Sequence, residues 1–204
     1  MSGPGERDRQ GVRVERYETA FGSGRLLLRG DLPLELELPP SPSGAAGQRV
    51  AGSSAPRSGV EGSRREPDTG ETDRQGSLWV DLLERYFAGE RVTFPLDVEA
   101  FLAAHGFTDF ARAVLRALWA VPYGTAVSYR DLAVAVGRPN AYRAVGSVMA
   151  KNPLPVILPC HRVLHNDGSY GNYGDDPSWK PRLLALEGWD GRHAQLPSLA
   201  ATDR

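Results

Sequence analysis

The stretch SYRDLAVAVGRPNAYRAVGSVMAKNPLPVILPCHRV (residues 128–163) decides the reading of this chain. Ser128 stands as an N-cap before Tyr129, and Asp131 at the third helical position completes a capping box, so a helix is predicted over 129–136. Gly137-Arg138-Pro139-Asn140 breaks it, and a further helix covers Ala141 to about Ala150. Two short helices joined by a tight, Gly-containing turn make a helix-turn-helix pattern, which binds DNA in some proteins and only packs in others. An apolar run then ends in Pro159-Cys160-His161-Arg162, placing a thiol at the end of a buried extended segment, beside a potential base and a cation. A thiol of reference pKa about 8.5 is a few per cent ionised at neutral pH, and a neighbouring imidazolium or guanidinium raises that fraction. The arrangement suits a nucleophile, although an isolated cysteine also serves as a small core residue.

Working outward, Phe110, Val114, Leu115 and Leu118 mark a helix stopped by Val121-Pro122-Tyr123-Gly124. Further upstream, LWVDLLERYFA (78–88) carries Leu78, Leu82, Leu83, Tyr86 and Phe87 at helical spacing and ends at Gly89. From Gly11 to about Leu38 the pattern is strand-like: Val12, Val14 and Tyr17 lie near a period of two, and Leu34, Leu36 and Leu38 alternate with glutamates. These strands read as a small antiparallel meander with one wet face, covered by the first helix. Residues 39–77 are dominated by Pro, Ser, Gly and Arg, too little apolar surface to offset ordering entropy, and read as a disordered insertion. The expected fold is therefore α+β. An N-terminal sheet and helix (1–38 with 78–100) precede a mostly helical C-terminal domain (105–190) holding the helix-turn-helix and the cysteine, with a tail at 191–204.

The 204 residues contain one cysteine, which excludes an internal disulfide and any cluster of cysteine ligands. His105 and His193 lie far in sequence from Cys160, His161 and His165, so no metal is expected. MSGPGERDRQ at the start has no apolar h-region, and no window reaches the length of a spanning helix, so a soluble cytoplasmic chain is expected, with no membrane association. The net charge of -1 hides an asymmetry: residues 107–188 carry nine Lys/Arg against six acids, and the rest carries 15 against 19. Any polyanion contact belongs to the C-terminal half.

Five ordered motifs give the C-terminal half a family resemblance: FTDFARAVLRAL (107–118), VPYGTAVSYRDLA (121–133), NAYRAVGSVM (140–149), NPLPVILPCHRV (152–163), and GNY (171–173) followed by KPRLLALEG (180–188). The chain resembles the O6-alkylguanine-DNA alkyltransferases, over about eighty residues. The first domain is similar only in its plan of strands followed by a helix.

The resemblance implies single-use, cofactor-free transfer of an alkyl group from O6 of guanine to a cysteine, and leaves transfer from O4 of thymine open. The substrate is double-stranded DNA with the damaged base flipped out, and the protein acts as a monomer. Cys160 maps as acceptor, His161 as base acting through a water, Glu187 as the group orienting the imidazole, and Tyr129 as donor to the purine ring. Tyr173 and the Gly174 N–H would face O6. Asn152 would tie the helix-turn-helix to the active-site segment, and Arg143 would fill the space vacated by the base. Ala144, one of the small residues that let the helix approach the backbone, and Arg130 join the DNA-binding set. Arg162 reads as an ion-pair partner. Where relatives usually show Gly-Gly, this chain has Asp175-Asp176, two carboxylates at the mouth of a DNA pocket. The rival reading is an alkyltransferase-like protein that holds lesions without reacting, against which the intact PCHR stands.

Overall fold

Alternation in the first forty residues produces three antiparallel strands, β1 (Val12–Thr19), β2 (Gly22–Arg29) and β3 (Leu32–Glu37), in the order β1-β2-β3. The computed structural model describes residues 11–40, 77–174 and 176–196. All but residues 39, 40 and 77 of the expected insertion therefore lie outside the described residues, as does Asp175. One sheet face is apolar, with Tyr17, Leu26 and Leu28 fully buried, while on the wet side Arg25 makes a bidentate pair with Glu37 at 2.7 and 2.6 Å.

Tyr17 lies flat over its cross-strand partner Gly24, where any Cβ would fall 2.1 Å from the ring. Its hydroxyl donates to Glu37 O at 2.9 Å, and the ring stacks on Phe87 with centroids 5.8 Å apart. A Gly24→Ala substitution must displace this pinned ring, so we expect a loss of about 1–3 kcal/mol, read as a lower urea midpoint with unchanged m-value.

Helix α1 (Leu78–Phe87) covers the sheet with Leu83, Tyr86 and Phe87 facing inward. It is followed by α2 (Val98–Ala104), which straddles the expected domain boundary. Asp97 caps α2 by accepting the Ala100 N–H at 2.9 Å. Helix α3 (Asp109–Trp119) buries Val114, Leu115 and Leu118 against the helix-turn-helix, formed by α4 (Tyr129–Ala135) and α5 (Tyr142–Ala150). The expected capping box is present: Ser128 Oγ accepts the Asp131 N–H at 3.0 Å and Asp131 accepts the Ser128 N–H at 2.8 Å.

A two-residue parallel ribbon joins β4 (Val127–Ser128) to β5 (Val163–Leu164). It fixes the start of the helix-turn-helix beside the segment that follows the cysteine. Helix α6 (Trp179–Leu186) closes the fold, its Trp179 packed edge-on against Phe21 and Phe87 of the first unit at 5.4 and 6.0 Å. One continuous core runs through both halves, from Tyr17 to Leu183. Part of the expected tail is anchored, since Ala126 N donates to Arg192 O and Ala194 N to Ala126 O. The architecture is α+β, as the sequence implies. No helix among the described residues is long and apolar enough to cross a membrane.

Candidate active site

The cysteine does not end an extended segment. Residues 153–158 fold into successive turns, and Cys160–Arg162 form a single 3-10 turn. Three prolines remove backbone donors and hold φ near the turn value, and the tight path drives the β-branched Val156 to φ 72°, an outlier of the kind that persists only where packing enforces it. Asn152 organises these turns: its Oδ1 accepts the Leu154 N–H at 3.1 Å, and its Nδ2 donates to Leu158 O at 2.8 Å and to Cys160 Sγ at 3.1 Å. Lying just past α5, it links the helix-turn-helix to the thiol, as the family resemblance implies.

Cys160 is 6% exposed, and its burial pushes the thiol pKa up further than Asn152, Tyr173 and Lys180 pull it down. This corrects the expectation of a thiol ionised by its neighbours. Neither cation in the adjacent sequence faces it: Arg162 is turned onto Glu187, and the fully buried His161 is held toward the neutral form, because desolvation outweighs the pull of Glu187. At rest the pair is a thiol beside a neutral imidazole.

Glu187, at the end of α6, gathers donors from three segments: α1, the loop after α3 and the cysteine turn. Oε1 accepts from His161 Nε2 at 2.7 Å, Tyr86 Oη at 2.8 Å and Arg162 Nη2 at 2.8 Å. Oε2 accepts from Arg162 Nε at 2.8 Å and from the Gly124 N–H at 3.0 Å. Gly124 is irreplaceable there: its φ is +70°, and a Cβ would meet Glu187 O at 3.0 Å. Arg162 also donates to Val121 O at 2.7 Å, the ion-pair role expected of it. These donors hold the Glu187 carboxyl well below the usual carboxylate range despite its burial. Since the carboxylate only accepts, Nε2 of His161 carries the proton and Nδ1 is left with a lone pair. Nδ1 is buried with no hydrogen-bond partner among the described residues.

The thiol opens into a cleft of about 1180 Å³, walled by Tyr129, Tyr173 and Lys180 on the cysteine side, by Arg143 on α5 and by Pro39 and Pro40 beyond β3. Tyr129 begins α4, half-buried. Tyr173 is buried with its hydroxyl beside the Cys160 thiol, its pKa pushed well up by burial and by that neighbour. Gly174 is exposed with φ 49°. Arg143, Ala144 and Arg130 are exposed, and among the described residues Arg143 is in no ion pair. Asp176 is half-buried at the cleft and accepts the Ser178 N–H at 2.9 Å.

Besides Gly124, two groups carry no sign in the sequence of belonging to the site. Lys180 is 1% exposed and donates to Tyr129 Oη at 3.2 Å and to Tyr170 O, its pKa pushed down by burial to about 8. Its place in KPRLL signals a buried helix face, but nothing there marks a lysine that reaches a pocket. Tyr86 belongs to the other half of the chain, where its spacing signals only core. No group of three or more His, Cys, Asp or Glu suited to a metal ion occurs among the described residues.

Fold and site together define a small α+β protein with a helix-turn-helix set over a buried cysteine backed by an imidazole and a carboxylate. Residues 109–189 match the family model for the 6-O-methylguanine DNA methyltransferase DNA-binding domain. Two similar relatives are methylated-DNA-protein-cysteine methyltransferases. That of Methanosarcina barkeri is 44% identical over 105 residues, 52% of this chain and 63% of its own length. That of Mycobacterium leprae is 39% identical over 124 residues, 61% of this chain and 70% of its own. Among solved structures, Mycobacterium tuberculosis OGT in complex with DNA superposes with a TM-score of 0.60 at 29% identity, covering 85% of this chain and 91% of that one. The chain belongs to the methylated-DNA-protein-cysteine methyltransferase family. The match to the Methanosarcina barkeri relative spans a little under two thirds of that protein, 63%.

Proposed function

We propose that this chain repairs double-stranded DNA by moving an alkyl group from O6 of guanine onto Cys160, once per molecule. The observation that carries the reading is the buried thiol at the floor of a cleft overhung by the helix-turn-helix, with the free His161 Nδ1 next to it in sequence and anchored through Nε2 to Glu187.

The reaction runs as one displacement. His161 Nδ1 takes the thiol proton through a water, since adjacent residues point apart and the structure has no direct bond between them. Sγ attacks the alkyl carbon, a carbon–sulfur bond forms as the O6–carbon bond breaks, and the electron pair stays on guanine. Asn152, donating to Sγ, stabilises the developing thiolate. Lys180 donates to the Tyr129 oxygen, which leaves the phenolic proton free to point into the cleft and neutralise the guanine anion. Tyr173 and the Gly174 N–H stand on the O6 side. The thioether has no leaving group, so the protein is consumed.

A purine reaches this floor only if it leaves the stack, at a cost of a few kcal/mol. Arg143, exposed at the cleft mouth and in no ion pair among the described residues, enters the vacated space, with Ala144 and Arg130 on the same DNA-facing surface. We therefore expect Arg143→Ala to slow transfer from a duplex by about a hundredfold, but transfer from free O6-alkylguanine by less than about threefold. Equal slowing would remove the extrusion role. A sulfur that must stay reduced fits a monomer acting in the cytoplasm. The reading as a whole is tested by intact mass after incubation with a duplex carrying O6-methylguanine. One methyl group per chain is expected, and binding with no gain in mass would make the protein a lesion holder instead.

A further inference from the structure

We propose that Tyr86, contributed by the first unit, is a positioning residue of the alkyl-transfer site: its hydroxyl holds the Glu187 oxygen that anchors His161. The proposal rests on the alkyl-transfer reading and adds a residue from outside the matched domain. Tyr86 lies 101 residues from Glu187 in the chain, yet its Oη donates to Glu187 Oε1 at 2.8 Å and sits 3.4 Å from His161 Nε2. The ring has no freedom to turn away. It is 1% exposed and packed edge-on against Phe87 at 5.4 Å and Tyr123 at 6.4 Å.

A tyrosine hydroxyl buried only for its ring needs some acceptor, and any carbonyl would do. This one converges on the carboxylate oxygen that receives the base's own N–H, so it acts on the base through that oxygen. By sharing the charge of Oε1, the hydroxyl moderates the pull of the carboxylate on an imidazolium and favours the neutral, proton-accepting ring. The other groups around this oxygen and the imidazole are Arg162 and Cys160 on the cysteine turn, Lys180 on α6, and Tyr123 after α3. Arg162 and Lys180 oppose an imidazolium, Glu187 favours it, and burial holds His161 below its ordinary value. Removing the Tyr86 hydroxyl leaves Glu187 a stronger partner for the protonated ring. His161 then titrates higher, and the acid limb of the reaction moves with it.

The test compares full-length protein with Tyr86→Phe, which deletes one oxygen and keeps every ring contact. Single-turnover methyl transfer from an O6-methylguanine duplex, followed from pH 5.5 to 9.5, should show the variant's acid limb shifted up by about half to one unit. On the acid limb itself the variant's rate then falls by up to about three- to tenfold, and at pH 9 it stays within about twofold. Identical profiles would overturn the proposal, and so would equal slowing at every pH with a lowered melting temperature, the mark of lost packing. Imidazole nitrogen NMR of His161 reads the same upward shift without DNA, so a wild-type protein that fails to take up methyl would sink the repair reading and leave this proposal on trial. Should the variant not fold, the unsubstituted protein still decides: a slowly exchanging Tyr86 hydroxyl proton with a cross-peak to the His161 Nε2 proton supports the bond, and its absence overturns it.

Discussion

Cys160→Ala should bind a duplex carrying O6-methylguanine and gain no mass, whereas the unsubstituted chain gains one methyl group and then ignores a second portion of damaged DNA. The loss is expected to be complete because no other side chain on the cleft floor can take the role. Lys180 is held by Tyr129 and Tyr170, and the hydroxyl of Tyr173 is pushed far from ionisation by its burial. Cys160→Ser should be equally inert, since an alcohol is far less acidic and less polarisable than a thiol. Neither change should disturb the fold, because Asn152 keeps Leu158 O and the Leu154 N–H as partners. The burial of Sγ adds a second result: small alkylating reagents should react slowly at neutral pH and faster as pH rises above the ordinary thiol value, because burial raises that pKa. Rapid labelling at pH 6 would instead reveal a standing thiolate.

Glu187→Ala should be the most damaging substitution outside the thiol. Among the described residues the carboxylate is the only anion paired with Arg162, whose side chain is 11% exposed, and removing it strands that guanidinium and the His161 N–H in the interior. Breaking a buried pair from one side costs about 3–5 kcal/mol, a large part of the about 5–15 kcal/mol that stabilises a typical domain. Molecules that still fold should transfer alkyl groups about 10²–10⁴-fold more slowly, the usual worth of a general base. The same carboxylate predicts the acid behaviour. Its folded pKa is depressed below the ordinary value of 4.5, so below about that pH the unfolded chain binds a proton that the folded protein refuses. His161, depressed from 6.5, acts in the same direction from a higher pH. The stabilisation from Glu187 is thus whole above about pH 4.5 and declines as pH falls, and acid denaturation of Glu187→Ala should be shallower than that of the parent. A parallel pair of acid-unfolding curves would contradict this.

What could be read from the sequence depended on whether a residue's task is local. The β1–β3 meander, the capping box at Ser128 and the helix-turn-helix rest on alternation, caps and breaks within a few residues, and each formed where the pattern placed it. Cys160, His161, Glu187, Tyr129 and Asn152 could be named because their motifs match a family; the structure sets Cys160, Tyr129 and Asn152 along the cleft, with His161 and Glu187 buried away from it. The turns before Cys160 were misread because an apolar run bounded by prolines looks like a buried strand, while Asn152 coils it from the side. The β4–β5 ribbon is too short to have a period. Tyr86, Lys180 and Gly124 were missed for another reason: a tyrosine at core spacing, a lysine on a helix and a glycine in a loop each have an ordinary explanation until folding puts them beside Glu187 or Tyr129.

That convergence has a consequence for how tolerance to mutation is distributed over the molecule. The five bonds to Glu187 come from α1, the loop after α3 and the cysteine turn, yet neither the carboxylate nor Tyr86, Gly124 or Arg162 lines the cleft. A scan of inactivating substitutions should therefore draw a second centre of sensitivity behind the thiol, on the side away from the cleft. Read alone, such a map would point to a pocket that no substrate enters.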